Sequence, residues 1–395
     1  MKKTICGTLL ALALLNGCAK ETVPNNTASP QAAVQETIAT ETPKIEAPSA
    51  KVEFSADEKV QAEKIVAGWK DGQFDRDQSR DLGNARAFLY LAANSEQADQ
   101  KAEAFRVIRD LYADYESDKV VLIDDDYRNV VLADLNNPDK VVQKYAIGAA
   151  YHVCRSKTLH PETVDALSDI AIGGGEKGVG TRWRAVLSLG QVPSENRMKH
   201  LDIYKVYSHL YTDEGPVAAA AIDTTLGPFA DDEPLRTDVL GSMKKLMEHQ
   251  EPLVRGRALD KYSSINRKDQ AAVIAQARKM LKDGHPFVVA EALRILGETK
   301  DESLIPEIAK FFDDTRENEI HLKFEDADGK STQINDGGLT GKSVADAATR
   351  ALDKVTDGRP DKGYKAEKVG FGKEAPAKIQ QNVAAAREWV SKNGR

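Results

Sequence analysis

The sequence predicts an all-α chain, an α-solenoid of helical hairpins with one inserted β-hairpin. Three observations predict it. Apolar residues recur at three- and four-residue steps from about Ser55 onward, the period of a helix with one buried face. A unit anchored on proline or valine repeats through the middle of the chain, with anchors at 138, 179, 216, 252 and 286 and spacings of 41, 37, 36 and 34 residues. One stretch, about 318–336, abandons the helical period for strict alternation.

The chain opens "MKKTICGTLLALALLNGC". Lys2 and Lys3 precede an apolar run from Ile5 to Leu15, which is the length of a secretory h-region and too short to span a bilayer. Leu15, Gly17 and Cys18 then stand as in a lipobox, with the less usual Asn16 between them. This segment resembles a bacterial lipoprotein signal peptide. The resemblance implies cleavage of residues 1–17 and acylation of Cys18, with chains such as palmitate. Several acyl chains on one residue hold a protein to a membrane far more firmly than one. Ala19 follows the cysteine, so no aspartate there favours inner-membrane retention. The expected location is the cell envelope, at the outer membrane, facing the periplasm or the cell surface.

Residues 18–54 are rich in Thr, Pro, Ala and Glu without apolar periodicity, the composition of a disordered tether. Such a coil has an r.m.s. span of ~30–35 Å. The helical repeats are expected over 55–355, beginning with Ser55 as an N-cap. Within them, aligning Pro252 with Pro286 superposes Val254 on Val288, Ala258 on Ala292, Leu259 on Leu293 and Tyr262 on Leu296. Pro216 leads to Gly227 as Pro286 leads to Gly297, and Ala185 and Gly190 fall on Ala292 and Gly297. The prolines suit helix starts, where the missing N–H is no loss. The small residues Ala185, Ala258 and Ala292 allow close helix contact. The glycines Gly190, Gly227 and Gly297 are expected as left-handed helix caps. Glu291 lies about 100° around the helix from Ala292 and is expected toward solvent.

A two-helix unit of this period cannot bury its apolar face alone, so neighbouring units stack. At these residues the chain resembles the HEAT-repeat family, whose short repeats favour D-x-x-P-x-V-[RV]-x-x-A-x-x-x-L-G, an acidic turn, and I-P-x-[LI]. Asp283 to Gly297 with 305–308 matches, and Val254 and Arg255 supply the V-R. The resemblance covers roughly 130–355 and extends more weakly back to 55; Val179 departs from the pattern where a proline is expected. It implies a groove lined by the second helices, with Arg184, Arg257 and Arg294 facing a partner.

The insertion alternates Ile320, Leu322 and Phe324, turns at 326–329, and returns through Thr332 and Ile334. Residues 344–355 then resume the repeat, with Ala347 on Ala292. Residues 356–395 supply a Gly- and Lys-rich loop and a final helix, with Val383, Ala386, Trp389 and Val390 in step to cap the stack.

The chemistry-bearing motifs are weak. "DGGLTGKS" (336–343) comes one residue short of a phosphate loop: Asp336 replaces its first glycine, and no βαβ unit surrounds it. Ser343 with Asp346 instead fits a helix cap. "DADG" (326–329) lacks the ligand set of a calcium loop and fits a hairpin turn. His152 and Cys154 lie two apart on a helix and point about 200° from each other, so they cannot share a metal. No nucleophile elbow, zinc-protease motif or paired cysteine is present. The net charge of −7, about −9 once Lys2 and Lys3 leave with the leader, disfavours nucleic acid. Only Cys154 remains as a thiol. The expectation is a non-catalytic binding or scaffold protein with no catalytic residue, cofactor, metal or nucleotide. Its partners are the membrane, through Cys18, and a protein. An enzyme on a HEAT-like fold with an unidentified substrate is the alternative.

Overall fold

The computed structural model describes residues 52–69, 74–75, 77–112, 123–156, 160–193, 201–225, 233–326, 329–336, 341–357, 363–369 and 374–393. The leader, Cys18 and nearly all of the tether lie outside them. A first helix, α1 (Ala56–Ala67), packs on a series of antiparallel pairs. The pairs are α2 (Ala85–Asn94) with α3 (Ala98–Leu111), α4 (Asp125–Asp134) with α5 (Lys140–Arg155), and α6 (Pro161–Ile172) with α7 (Val179–Leu189). Next come α8 (Leu201–Leu210) with α9 (Gly215–Thr224), α10 (Glu233–Leu246) with α11 (Pro252–Ile265), and α12 (Gln270–Met280) with α13 (Pro286–Glu298). In the last pair the first helix shrinks to α14 (Ile305–Ile308), flanked by 3₁₀ turns. Strands β1 (Ile320–Glu325) and β2 (Ser331–Asp336) follow, then α15 (Val344–Thr356) and the terminal α16 (Ala375–Asn393).

The second helices α3, α5, α7, α9, α11, α13 and α15 stack on one another in that order, forming an unbroken row. Their starts fall where the sequence anchors stand. Pro252 and Pro286 are the first residues of α11 and α13, and Pro216 is the second of α9. Val179 opens α7 after Gly178, whose φ of 71° sets the turn. At the loosest repeat, Asp139 rather than Pro138 starts the helix: its carboxylate accepts the amides of Val141 and Val142 at 2.9 and 3.0 Å. Ser55 forms a full capping box with Glu58. Ala185, Ala258 and Ala292 are all completely buried, as close helix packing requires.

The glycines behave differently from expectation. Gly190 is right-handed, with φ −62°, and Gly297 lies inside α13. Neither is a left-handed cap. The residue with positive φ after α13 is Lys300, at 56°. What both glycines provide is missing bulk. A Cβ on Gly190 would stand 2.3 Å from Thr224 Cγ2, and one on Gly297 would stand 2.8 Å from Ala351 Cα. They sit where one repeat presses on the next. Gly227 lies outside the described residues. Phe54, just before α1, packs edge-on to Tyr90 at 5.2 Å and lies under the Arg86 guanidinium.

The inserted strands pair antiparallel, with Leu322 opposite Ile334 and Phe324 opposite Thr332. Ile320 is buried and Leu322 and Phe324 are half-buried, while His321, Lys323 and Glu325 are exposed. At the far end, residues 363–369, without regular secondary structure, lie between α15 and α16 in the chain. Asn382 accepts the Glu367 amide at 3.0 Å and donates to its carbonyl at 2.9 Å, and the Tyr364 hydroxyl donates to the Asn382 carbonyl at 2.9 Å. Val383, Trp389 and Val390 of α16 pack against the core around buried Ala386.

Candidate functional site

Two largely buried ion pairs join successive repeats. Arg255, three residues after its anchor, grips Asp283, three before the next anchor, through two bonds of 2.7 and 2.8 Å. Arg182 and Asp213 hold the same two places and are likewise paired. Arg182 also donates to the Ala171 carbonyl at 3.0 Å. The aspartate and the arginine of the D-x-x-P-x-V-R pattern therefore bind each other across the boundary between units. Burial alone would raise the Asp283 carboxyl. Hydrogen bonds from Arg255 and the His285 amide overcome it and hold the group below the usual range.

The three arginines assigned to the groove all lie on second helices, but not at one register. Arg184 and Arg257 stand five residues after their anchors; Arg294 stands eight after its own. Each has an acidic partner inside the protein. Arg257 pairs with Asp223 of α9 at 3.5 Å. Arg294 of α13 pairs with Asp260 of α11, with Glu291 at 2.9 Å and with Glu298 at 2.7 Å. Side chains of opposite charge thus run across α9, α11 and α13. The arginine side chains keep 28% (Arg184 and Arg257) and 22% (Arg294) of their exposure.

Glu291 overturns its expected exposure: only 7% of it is accessible. It stands five residues after Pro286, the place of Arg184 and Arg257, so it belongs to the same register row. Burial pushes its carboxyl up, opposed by Arg294. Around Arg294 burial disfavours the charge, but the carboxylates of Glu291, Asp260 and Glu298 outweigh it and push its pKa further up. No motif in the sequence marks Asp223, Asp260 or Glu291 as part of this row. For Glu291 the repeat register carries the information.

Arg184 is engaged from much farther away. The hairpin, rooted beside α15 through a bridge between Glu317 and Ser343, contacts α7, and α9, α11 and α13 stand between α7 and α15 in the row. At its tip Asp326 accepts Nε and Nη2 of Arg184 at 2.8 and 2.6 Å. Lys144 of α5 stands 3.0 Å from the same carboxylate, whose side chain is 1% exposed. Thr332 donates to it at 3.2 Å. Phe324 meets Trp183 edge-on at 5.3 Å. Gly180 gives the tip its place, since a Cβ there would lie 2.4 Å from Asp326 Cα. Residues 327–328 of the turn expected at 326–329 lie outside the described residues; at its ends the Gly329 amide, with φ 75°, donates to the Asp326 carbonyl at 2.9 Å, and the Asp326 carboxylate is buried against two cations.

Open space flanks the row. A cavity of about 550 Å³ is lined by Arg294, Glu298, Arg350, Asp353 and Lys365. Another of about 560 Å³ is lined by Asp260, Ser263, Arg267, Arg294 and Glu298, so Arg294 stands between the two. The residues resembling a phosphate loop start α15. Ser343 caps the Asp346 amide at 3.2 Å, and Asp346 accepts the Lys342 amide at 2.9 Å. Gly341 has φ 99°, and a Cβ there would meet Asp346 Oδ2 at 2.5 Å. The Lys342 ammonium stands 2.6 Å from Glu319. Residues 337–340 lie outside the described residues. Among the described residues no group of three His, Cys, Asp or Glu gathers as a metal site. Cys154 is buried in α5, and burial pushes its thiol up to about 12.

No protein-family model matches the chain, and no curated protein matches it. Solved structures do match. A chain in the complex of Kap95p with RanGDP is 10% identical, with a TM-score of 0.52 over 86% of this chain and 45% of that one. This chain therefore spans less than half of its length. YibA of Escherichia coli is 12% identical over 87% of this chain and all of YibA, with a TM-score of 0.46. An engineered protein is 14% identical over 84% of this chain and 99% of its own, with a TM-score of 0.33. At such identities the likeness is one of fold: the chain is an all-α, HEAT-like helical solenoid with one inserted β-hairpin.

Proposed function

We propose that the protein is a non-catalytic scaffold of a bacterial cell envelope, anchored at the outer membrane by acyl chains on Cys18 and binding a protein partner along its second-helix row. One observation carries the binding reading. The side chains of Asp223, Arg257, Asp260, Glu291 and Arg294 cross three successive repeats beside two open cavities. A stacked row offers a partner one continuous surface rather than a pocket. Kap95p, from the complex similar in fold, binds RanGDP, which supports reading such a row as a protein-binding surface. The anchoring reading rests on Leu15, Gly17 and Cys18, and on a tether long enough to hold the repeats clear of lipid.

A photoreactive residue in place of Ser263, between the charged row and the cavity wall, tests the binding reading in intact cells. A specific protein adduct is expected, and Arg257→Glu, which leaves the cluster around Arg294 intact, should weaken it while helical content stays unchanged. An adduct indifferent to that charge reversal, or none at all, counts against the row. Anchoring has its own test. Cys18→Ser should move the protein from the detergent phase to the aqueous phase on phase separation; continued partition with detergent would exclude acylation at Cys18.

A further inference from the structure

The contact between hairpin and α7 has features that stacking of repeats does not require. The second-helix row is continuous without it. The hairpin interrupts the repeat pattern, and its tip is held by polar groups rather than by an apolar plug. Asp326 brings its carboxylate to Lys144 and to one edge of the Arg184 guanidinium, through Nε and Nη2. Phe324, two residues earlier on the same strand face, reaches Trp183. The backbone at Asp326 presses into space that exists because residue 180 is glycine. A planar guanidinium fork and an ammonium select a carboxylate. An indole favours an aromatic ring edge-on, and the missing side chain at Gly180 leaves room for a backbone to approach closely.

We propose that Lys144, Gly180, Trp183 and Arg184 form a recognition seat for a partner-protein segment carrying an aromatic residue two positions before an aspartate at a turn. The chain's own Phe324 and Asp326 fill the seat in cis. This rests on the reading of the protein as a binding scaffold and names the chemistry of one partner segment. The chain itself shows what fits: the seat is basic, the occupant acidic, and the spacing is that of alternate residues on one strand face. A tethered occupant competes at an effective concentration in the millimolar range. The partner segment therefore gains access when the hairpin is displaced, and the hairpin sets a threshold for binding.

The test uses the full chain and a fluorescent cyclised peptide with the sequence of residues 320–336. A second peptide carries Asn in place of its aspartate. Wild type should bind the first peptide weakly, because its seat is filled. Asp326→Asn in the chain should loosen β1 and β2, read as faster hydrogen exchange there. It should also raise affinity for the first peptide at least ten-fold, and not for the Asn peptide. Adding Arg184→Ala should abolish the gain. Gly180→Ala separates release from recognition: its methyl group expels the hairpin and also blocks the peptide. It should speed exchange in the strands without any gain in binding.

If Asp326→Asn frees the strands but peptide affinity stays at the wild-type level, the seat is an internal fastening only and the proposal falls. It falls equally if Asp326→Asn leaves strand exchange unchanged, or if the variant loses its helical circular dichroism. None of these outcomes touches the scaffold reading, which the Ser263 adduct decides separately.

Discussion

Phe287→Ala is expected to destabilise the protein by about 3–5 kcal/mol, the usual cost of emptying a buried aromatic site. Phe287 is the second residue of α13 and completely buried. Its ring occupies the space above Gly256 in α11, where a Cβ would stand 2.4 Å from ring Cε1 and 3.1 Å from Cδ1. The aromatic side chain and the glycine thus form a knob and hole between neighbouring repeats, which predicts a change of sign. In the wild-type background Gly256→Ala should destabilise, because the methyl group and the ring claim the same volume. With Phe287→Ala already present, the same change should stabilise by up to ~1 kcal/mol, as alanine normally does in a helix. Urea melts of the two single variants and the double variant check this, because residues in contact give strongly non-additive effects. Additive results would mean that the ring is not seated on Gly256.

Asp213→Ala is expected to cost a similar amount, about 3–5 kcal/mol, for an electrostatic reason. Arg182 keeps only 4% of its side-chain exposure and Asp213 15%. Taking the carboxylate away leaves a guanidinium out of water, with the Ala171 carbonyl as its remaining short contact. Burial already pulls the pKa of Arg182 down, with Glu214 opposing. Adding Arg182→Met should recover part of the loss, since replacing both members of a buried pair costs less than orphaning one. Melts of the three variants measure this. Hydrogen exchange should place the loosening in α6 to α9, because each unit touches mainly its neighbours. A double variant as unstable as Asp213→Ala alone would show that lost packing, not stranded charge, is responsible.

What the sequence makes legible follows from what is local. Pro252 and Pro286 announce helix starts because proline's chemistry acts on its own residue. Ile320, Leu322 and Phe324 announce a strand because their alternation is complete within six residues. Gly190 and Gly297 mislead because glycine serves two purposes, a left-handed cap and a close approach. The sequence shows the residue without Thr224 or Ala351 opposite it. Glu291 misleads for another reason. It lies one residue from a core alanine, and helix geometry alone turns it outward, although the repeat register sets it beside Arg184 and Arg257. The seat at Arg184 has no local mark, since its occupant lies 142 residues away.

That separation also bears on how the molecule unravels. An array of stacked units ordinarily peels from either end, one unit at a time, because each interface answers only to its neighbours. Fastening Arg184 to Asp326 turns the intervening stretch into a ring. No unit inside it can peel away fully without opening the latch, although each can still loosen locally against its neighbours. Closing so long a loop costs only about 1 kcal/mol more than closing a single repeat, because the entropy grows with the logarithm of length. Under tension along the chain the latch carries load in parallel with the units it encloses. Its opening releases a stored length of polypeptide all at once, a step in extension that an unlatched array would lack.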